Sequence, residues 1–293
     1  MKKTAKGDRL FLLLNDLILL LVLLIVLYPL IYIVSSSFSS PQAVSAGLVR
    51  LLPVEFSLRG YEEVFKYPGV LRSFLNSVFY TVAGTLISMT MTVMAAYPLY
   101  YRGFAGKKVL TFLFTFTMIF SGGLIPSYLL NSKLGLLDTA WVLLIPNAIS
   151  IFNLIIIRSF FEGNIPEELN EAAKLDGCSQ IKFLTKVVLP LSKPILAVVS
   201  LYYAVEKWNM YFDAFIYLKN EKLYPLQIIL RKILVLNQTD AMVVDPTLMA
   251  ARQGMSDLLK YSLIIVSSLP LILVYPLVQK HFTKGTLTGA VKG

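Results

Sequence analysis

The sequence predicts an all-α, polytopic membrane protein with six transmembrane helices and both termini in the cytoplasm. Three observations carry that expectation. Of 293 residues, 56% are hydrophobic and only 15% are charged. A soluble domain carries about a quarter charged residues, so charge could not cover a globule of this size. Apolar runs as long as a bilayer requires, about 20 residues in helix, recur along the whole chain. The Lys and Arg residues between those runs are shared unequally between alternate loops.

The same composition excludes other classes. The apolar content excludes disorder. A single cysteine, Cys178, excludes a disulfide scaffold, and a single histidine, His281, leaves little to build a transition-metal site. No metal ligands are expected. A formal net charge of +10 would suggest nucleic acid in a soluble protein. In a membrane chain it reads as basic residues that orient helices and meet anionic lipid, with no nucleic-acid partner.

The first run is Leu12 to Val34, interrupted by Asn15 and Asp16 and preceded by Lys2, Lys3, Lys6 and Arg9. Val44-Ser45-Ala46 resembles a signal-peptidase site. A signal core, however, is only about 7–15 residues long, so an uncleaved first span is expected. Five further spans are predicted: Leu75 to Tyr97, Val109 to Leu130, Ala140 to Phe160, Pro194 to Leu218 and Leu259 to Val278. Six spans place both termini, 98–108 and 161–193 on one side. That side holds Lys2, Lys3, Lys6, Arg9, Arg102, Lys107, Lys108, Lys174, Lys182, Lys186, Lys193, Lys280, Lys284 and Lys292. The short opposite loop, Asn131 to Thr139, holds only Lys133. By the positive-inside rule the basic side is cytoplasmic. Two segments, about 35–73 and 219–258, are then external. No internal repeat or soluble domain is visible, so residues 1–293 are expected to form one membrane domain.

The segment 161–193 is the one long cytoplasmic loop. Pro166 fits the first turn of a helix, and Glu167 and Glu168 suit its positive end. Ala172 and Ala173 favour helix and have almost no bulk. Gly177 supplies a stop. Ser179 caps a second helix, Gln180 to Val188, which Pro190 ends. The result is two short helices at an angle outside the membrane. On periodicity alone this is equally an ordinary solvated helical turn.

The full spacing is more specific. Glu171-Ala172-Ala173, then Asp176-Gly177, then Phe183 and Pro190 resembles the EAA signature of ABC importer permeases. The resemblance extends through Phe120-Ser121-Gly122-Gly123-Leu124-Ile125-Pro126, Gly135-Leu136-Leu137-Asp138-Thr139, Asn153, Arg158, Trp208-Asn209 and Tyr224-Pro225-Leu226-Gln227. It ends in Gly289-Ala290-Val291-Lys292-Gly293. These motifs are similar to the maltose-type carbohydrate permeases, in the branch of Lpl- and Ytc-type polysaccharide importers and the alginate importer's shorter permease. The resemblance implies a permease for oligo- or polysaccharide, acidic or alginate-like, in the bacterial inner membrane. It implies that Glu171, Ala172, Ala173, Asp176 and Gly177 couple the chain to a cytoplasmic ATPase. It also implies a second homologous permease chain, two ATPase copies and an external solute-binding protein, with ATP and magnesium bound by the ATPase and no cofactor in this chain. The tail, Lys284 to Gly293, is expected to reach between the ATPase subunits. Cys178 stands where the family carries a small residue, and reads as an apolar filler.

Polar groups inside spans are costly and face a cavity or a partner helix. The fifth span carries Glu206, Lys207, Trp208, Asn209, Tyr211 and Asp213. Glu206, Asn209 and Asp213 share one helical face, with Lys207 and Tyr211 on the adjacent strip. These residues are candidates for a sugar pathway, or else for a local ion pair and helix glue. The fourth span sets Pro146, Asn147, Ser150 and Asn153 along one side, lining the route or forming a helix seam. Gly122, Gly123 and Pro126 break the third span, as at transport sites or at a docking surface. Arg231-Lys232 reads as a solvated basic face or one that attracts an acidic ligand.

A transport subunit without catalytic residues is therefore expected. The sequence has no Gly-rich Lys-Ser/Thr phosphate loop, so ATP hydrolysis belongs elsewhere. A polytopic glycosyl- or phosphotransferase would cluster acids and bases at the membrane face. The clustered acids here, Glu167, Glu168 and Glu171, fall on the proposed docking helix. A secondary transporter would show inverted repeats, and none is visible.

Overall fold

The computed structural model describes residues 6–239 and 246–290, with side chains placed for 10–233 and 254–276. Every regular element among them is helical. The chain packs as two compact units, Met1–Val70 with Leu230–Leu269, and Leu71–Ile229 with Pro270–Gly293.

The first unit opens with α1 (Lys6–Ser37), whose stretch Leu10–Ser37 holds an 18-residue window of mean hydropathy 3.2 with no buried residue, while Ser35, Ser36 and Ser37 at its end are buried. Such a helix, apolar all round, needs lipid or another chain about it. A short α2 (Pro41–Ser45) follows. Ser40 caps it by accepting from the Ala43 N–H at 3.1 Å, and Pro41 occupies the first position, where its missing N–H costs nothing. Next comes α3 (Arg59–Lys66). Ala43, Val44 and Val49 bury themselves against Leu258, beside the edge-on pair Tyr32–Tyr261 at 5.7 Å. Gly254 is required at this contact, because a Cβ there would lie 2.7 Å from the Pro41 carbonyl oxygen.

The second unit is built on α4 (Val70–Tyr100), α5 (Lys107–Ile119), α6 (Leu124–Lys133), α7 (Trp141–Leu144) and α8 (Ile151–Asn164). It continues through α9 (Glu167–Leu175) and α10 (Gln180–Phe183), then a π turn and the short α11 (Leu189–Leu191). After these come α12 (Lys193–Trp208) and α13 (Phe212–Tyr217). One core joins Val93, Ala96 and Leu99 of α4 to Leu154, Ile157 and Phe161 of α8 and to Phe183, Val199 and Tyr203. Another joins Tyr80 to Val142, Leu143 and Leu144 and to Ala214 and Tyr217. Two helices run through both units, α14 (Leu226–Thr239) and α15 (Pro246–Ala290).

Three described helices are long and apolar enough to cross a membrane: Leu10–Ser37, Val70–Tyr100 and Gly254–Pro276. Two bent pairs raise the number to five: α5 with α6, turned by 117°, and Gln180–Leu191 with α12, turned by 84°. The first, second and sixth expected spans thus correspond to continuous helices. The third breaks where Gly122 and Gly123 suggested, with Gly123 at φ 83°.

The other spans differ from the sequence reading. Ala140 to Phe160 is not one helix: α7 stops at Leu144 and α8 begins at Ile151, with Asn147 at φ 58° between them. Pro146 lacks the N–H a continuing helix would use. Pro194 to Leu218 also divides: Asn209 ends α12, its backbone N–H and side-chain amide both donating to the Val205 carbonyl at 3.1 and 2.9 Å, and α13 begins only at Phe212. The expected tail Lys284–Gly293 continues α15 as helix to Ala290. Its last three residues, and the middle of the second external segment, 240–245, lie outside the described residues.

Candidate functional site

The loop 161–193 folds as two short helices at an angle. Asp176 caps α9, and Gly177 takes the left-handed conformation at φ 69°. The Gly177 N–H donates to the Lys174 carbonyl at 3.0 Å and the Cys178 N–H to that of Ala173 at 2.8 Å. This pairing is the Schellman ending of a helix. Its usual apolar contact is present, since Ala173 and Cys178 both pack against the core around Phe161 and Phe183. Ser179 caps α10 by accepting from the Lys182 N–H at 3.3 Å.

Successive helical residues are turned about 100° apart, so the alanine pair divides. Ala173 faces inward, whereas Glu171, Ala172 and Asp176 are exposed. Leu175 is 90% exposed and Ile181 is 77% exposed. These two side chains lead the apolar part of the outward surface, with Leu169 also exposed, and the sequence reading did not single them out. Their signal was the break in amphipathic pattern, an apolar residue on the polar face.

The loop is fastened to the end of α4. Tyr97 Oη donates to Gln180 Oε1 at 2.6 Å, and Tyr100 Oη to the Ile165 carbonyl at 3.2 Å. Lys174 Nζ donates to Tyr101 Oη, and Arg102 pairs with Glu167 at 2.8 Å. Nearby, Glu162 accepts from Lys107 and Arg158, each at 3.1 Å. Burial pushes the Glu162 carboxyl up, but these hydrogen bonds outweigh it and hold the group below its usual range. Tyr100, Arg102, Lys107, Glu162, Glu167 and Glu168 line a polar cleft of about 490 Å³ at this end of the unit.

The second candidate region is a recess of about 250 Å³ lined by Asn147, Glu206, Lys207, Asn209, Met210, Tyr211, Phe212 and Asp213. Six of the eight pathway candidates converge here. A helix break creates the recess, in place of the continuous helical face expected for Glu206, Asn209 and Asp213. The structure adds Met210 and Phe212, of which Phe212 is half exposed. Two candidates stay out. Trp208 is buried with its ring edge-on to Phe74 at 5.8 Å. Asn153 is buried inside α8. Lys207 also departs from expectation: its side chain is only 4% exposed and its ammonium donates to the Leu143 carbonyl at 3.4 Å. It forms the floor of the recess.

The irregular backbone beside the recess is held by Tyr203, which is fully buried. Thr92 Oγ1 donates to the Ser88 carbonyl at 2.6 Å, so Tyr203 Oη donates to Thr92, also at 2.6 Å. The Tyr203 oxygen then accepts from the Ser150 N–H at 3.0 Å. Non-helical backbone at membrane depth survives when protein groups satisfy it in this way. Asp138 stands at φ 57° and accepts from the N–H groups of Asn220 at 2.7 Å and Lys219 at 2.9 Å.

Residues 88–288 match the family model described as the inner membrane component of binding-protein-dependent transport systems, and the chain belongs to that family. Two relatives come from Bacillus subtilis (strain 168). The polygalacturonan/rhamnogalacturonan transport system permease protein YtcP is 43% identical, over 94% of this chain and 96% of its own length. Protein LplC is 42% identical, over 99% and 97%. The structure is also similar to a chain of a bacterial ABC transporter involved in the import of the acidic polysaccharide alginate. Their TM-score is 0.86 and their identity 37%, covering 96% of this chain and all of that one. The chain is thus a membrane transport subunit of the ABC permease class, not an enzyme.

Proposed function

We propose that this chain forms half of the translocation pathway of an ATP-driven importer for acidic oligo- or polysaccharides. The substrate class rests on the similar proteins: YtcP is a polygalacturonan/rhamnogalacturonan transport permease, and the similar solved transporter is involved in alginate import. Polygalacturonan and alginate are polyuronates. The geometry suits this role. In the recess, Asn147 and Asn209 offer amides to sugar hydroxyls, and Tyr211 and Phe212 offer rings to sugar faces. Glu206 and Asp213 place two carboxylates against one buried ammonium, so an acidic polymer is held weakly. A pathway must release what it binds. At about 250 Å³ the recess is smaller than the roughly 300–1,000 Å³ of a closed ligand site, which suits one wall of a path completed by a second permease chain.

In this reading α9 is the coupling element. Glu171, Ala172, Asp176 and the exposed Leu175 meet a cytoplasmic ATPase, two copies of which supply hydrolysis, with an external binding protein delivering the sugar. Gly177 and Ala173 set the angle of α9. The membrane is crossed six times with both termini cytoplasmic, the broken pairs included. This chain holds no cofactor of its own.

The test is ATPase activity of the reconstituted complex with binding protein loaded with matched acidic or neutral oligosaccharides. Stimulation by uronate oligomers is expected. Stimulation by neutral oligomers alone would overturn the substrate class and leave the permease class intact.

A further inference from the structure

We propose that the polar cleft at the N-terminal end of α9 is a socket for a basic side chain of the cytoplasmic ATPase subunit, received by Glu162, Glu168 and Asn170. The socket rests on α9 being the coupling element and adds a contact in the opposite direction, from the ATPase into the permease.

The unused hydrogen-bonding groups of the cleft are acceptors. Its cations are already engaged: Arg102 pairs with Glu167 at 2.8 Å, and Lys107 donates to Glu162 at 3.1 Å and to the Tyr100 carbonyl at 3.5 Å. Lys107 and Arg158 both approach Glu162 at Oε1, and Oε2 receives no bond among the described residues. Glu168 is exposed and pairs with no cation among the described residues. Asn170 is only 3% exposed, and its side-chain oxygen has no hydrogen-bond partner among them. A buried amide left without partners is rare and costly. A half-turn of the amide exchanges its two ends, so either can be presented to the cleft, which Asn170 lines.

Three acceptors around one space call for a guest rich in donors. A guanidinium offers five N–H groups in a rigid fork, and an ammonium offers three. An anion fits poorly, because the carboxylates of Glu162, Glu167 and Glu168 all border the space, and Glu167 and Glu168 already meet the positive end of α9. The volume of about 490 Å³ lies within the roughly 300–1,000 Å³ of ligand clefts. The source of the side chain follows from helical spacing. Glu168, Glu171, Ala172 and Leu175 stand at i, i+3, i+4 and i+7, on one face of α9, and all four are exposed. A partner seated on Glu171, Ala172 and Leu175 therefore also covers Glu168 and the rim of the cleft that it forms.

The first measurement places p-azidophenylalanine at Tyr101, which lines the cleft, or at Ala172, each in the complete transporter. After illumination the cross-linked peptides are read by mass spectrometry. Both positions are expected to join the ATPase subunit, with an arginine or lysine beside the Tyr101 cross-link. Cross-linking from Ala172 alone would overturn the socket and leave the coupling role of α9 intact, and no cross-link to the ATPase from either would overturn both. A Tyr101 cross-link to the second permease chain, or to an ATPase segment without a basic residue, would also overturn the socket. The second measurement titrates the ATPase subunit onto permease chains in nanodiscs. Glu168→Lys changes an exposed side chain, so the fold should persist. At low salt it is expected to raise the half-saturating ATPase concentration several-fold, as is Asn170→Leu, and Glu168→Gln should raise it less. The gap between Glu168→Gln and the parent should close at high salt, because exposed charges are screened. An unchanged concentration, or a loss that ignores salt, would overturn the ion pair.

Discussion

Lys207 owes its conformation to the absence of a side chain opposite it. Its stem crosses Gly84 of α4, where a Cβ would lie 3.1 Å from its Cγ and Cδ and 3.3 Å from its Cε. The ammonium thereby reaches the Leu143 carbonyl, one residue before α7 ends. Lys207→Gln replaces the ammonium with a neutral amide one atom shorter, which withdraws the donor from that carbonyl, and an unsatisfied buried acceptor costs about 1–3 kcal/mol. The expected result is a lower yield of assembled complex, with uptake of acidic and neutral oligosaccharides reduced equally per complex. A selective loss of acidic uptake would show instead that the ammonium meets substrate. Gly84→Ala should produce a milder loss of the same kind. Asp138 gives a residue-scale effect of pH. The N–H groups of Asn220, then of Lys219, hold its carboxyl below the ordinary value. The stability it contributes is complete above the unfolded value near 3.8 and is lost as pH falls through the lower folded value. Asp138→Asn keeps an acceptor and tolerates the left-handed backbone. Its thermal midpoint should therefore lie below that of the parent at pH 7, and the gap should close below about pH 4. A gap that persists in acid would count against the carboxylate as the cause.

At the scale of elements, the end of α9 sets the orientation of the coupling surface. A Cβ added at Gly177 would meet no atom within 4 Å, so substitution there is resisted by torsion and not by crowding. A β-branched residue in the left-handed region costs at least the roughly 1–2 kcal/mol of an ordinary side chain. Gly177→Val should uncouple ATP hydrolysis from uptake in complexes that still assemble, while Gly177→Asn should stay near parental coupling. Equal coupling in both variants would remove the turn from the mechanism. The sequence showed this element clearly because its information is local: a cap, a stop and a helix former at each required position. The break at Gly122-Gly123 was legible for the same reason. The break after Trp208 was not. It is a short irregular stretch, 209–211, between two helices of similar polarity, α12 and α13, and hydropathy does not register it. Trp208 misled because its neighbours are polar, while its own partner, Phe74, is distant in sequence. Lys207 misled because the glycine that accommodates it lies on another helix.

For the molecule as a whole, the decisive quantity is the number of crossings, and it turns on Ala140 to Phe160. Neither half of this region suffices alone. At 1.5 Å per residue, the 14 residues of α8 reach about 21 Å, short of the roughly 30 Å hydrocarbon core. The four residues of α7 add about 6 Å, and the irregular stretch 145–150 has to supply the rest. That stretch is supported as a crossing would require: Tyr203 accepts from the Ser150 N–H, and Lys207 donates to Leu143. If it crosses, Lys133 and Glu171 face opposite sides of the membrane. Single cysteines at these two exposed positions, in a Cys178→Ser background, should then label differently in intact spheroplasts. An impermeant maleimide should reach position 133 from outside and position 171 only after the membrane is opened. Labelling of both from the same side would reduce the crossings by one and would place the α9 surface and the loop before α7 together. Tyr203→Phe tests the support separately. It should lower the yield of correctly inserted protein, and it should leave the sidedness of the two labels unchanged in the protein that remains.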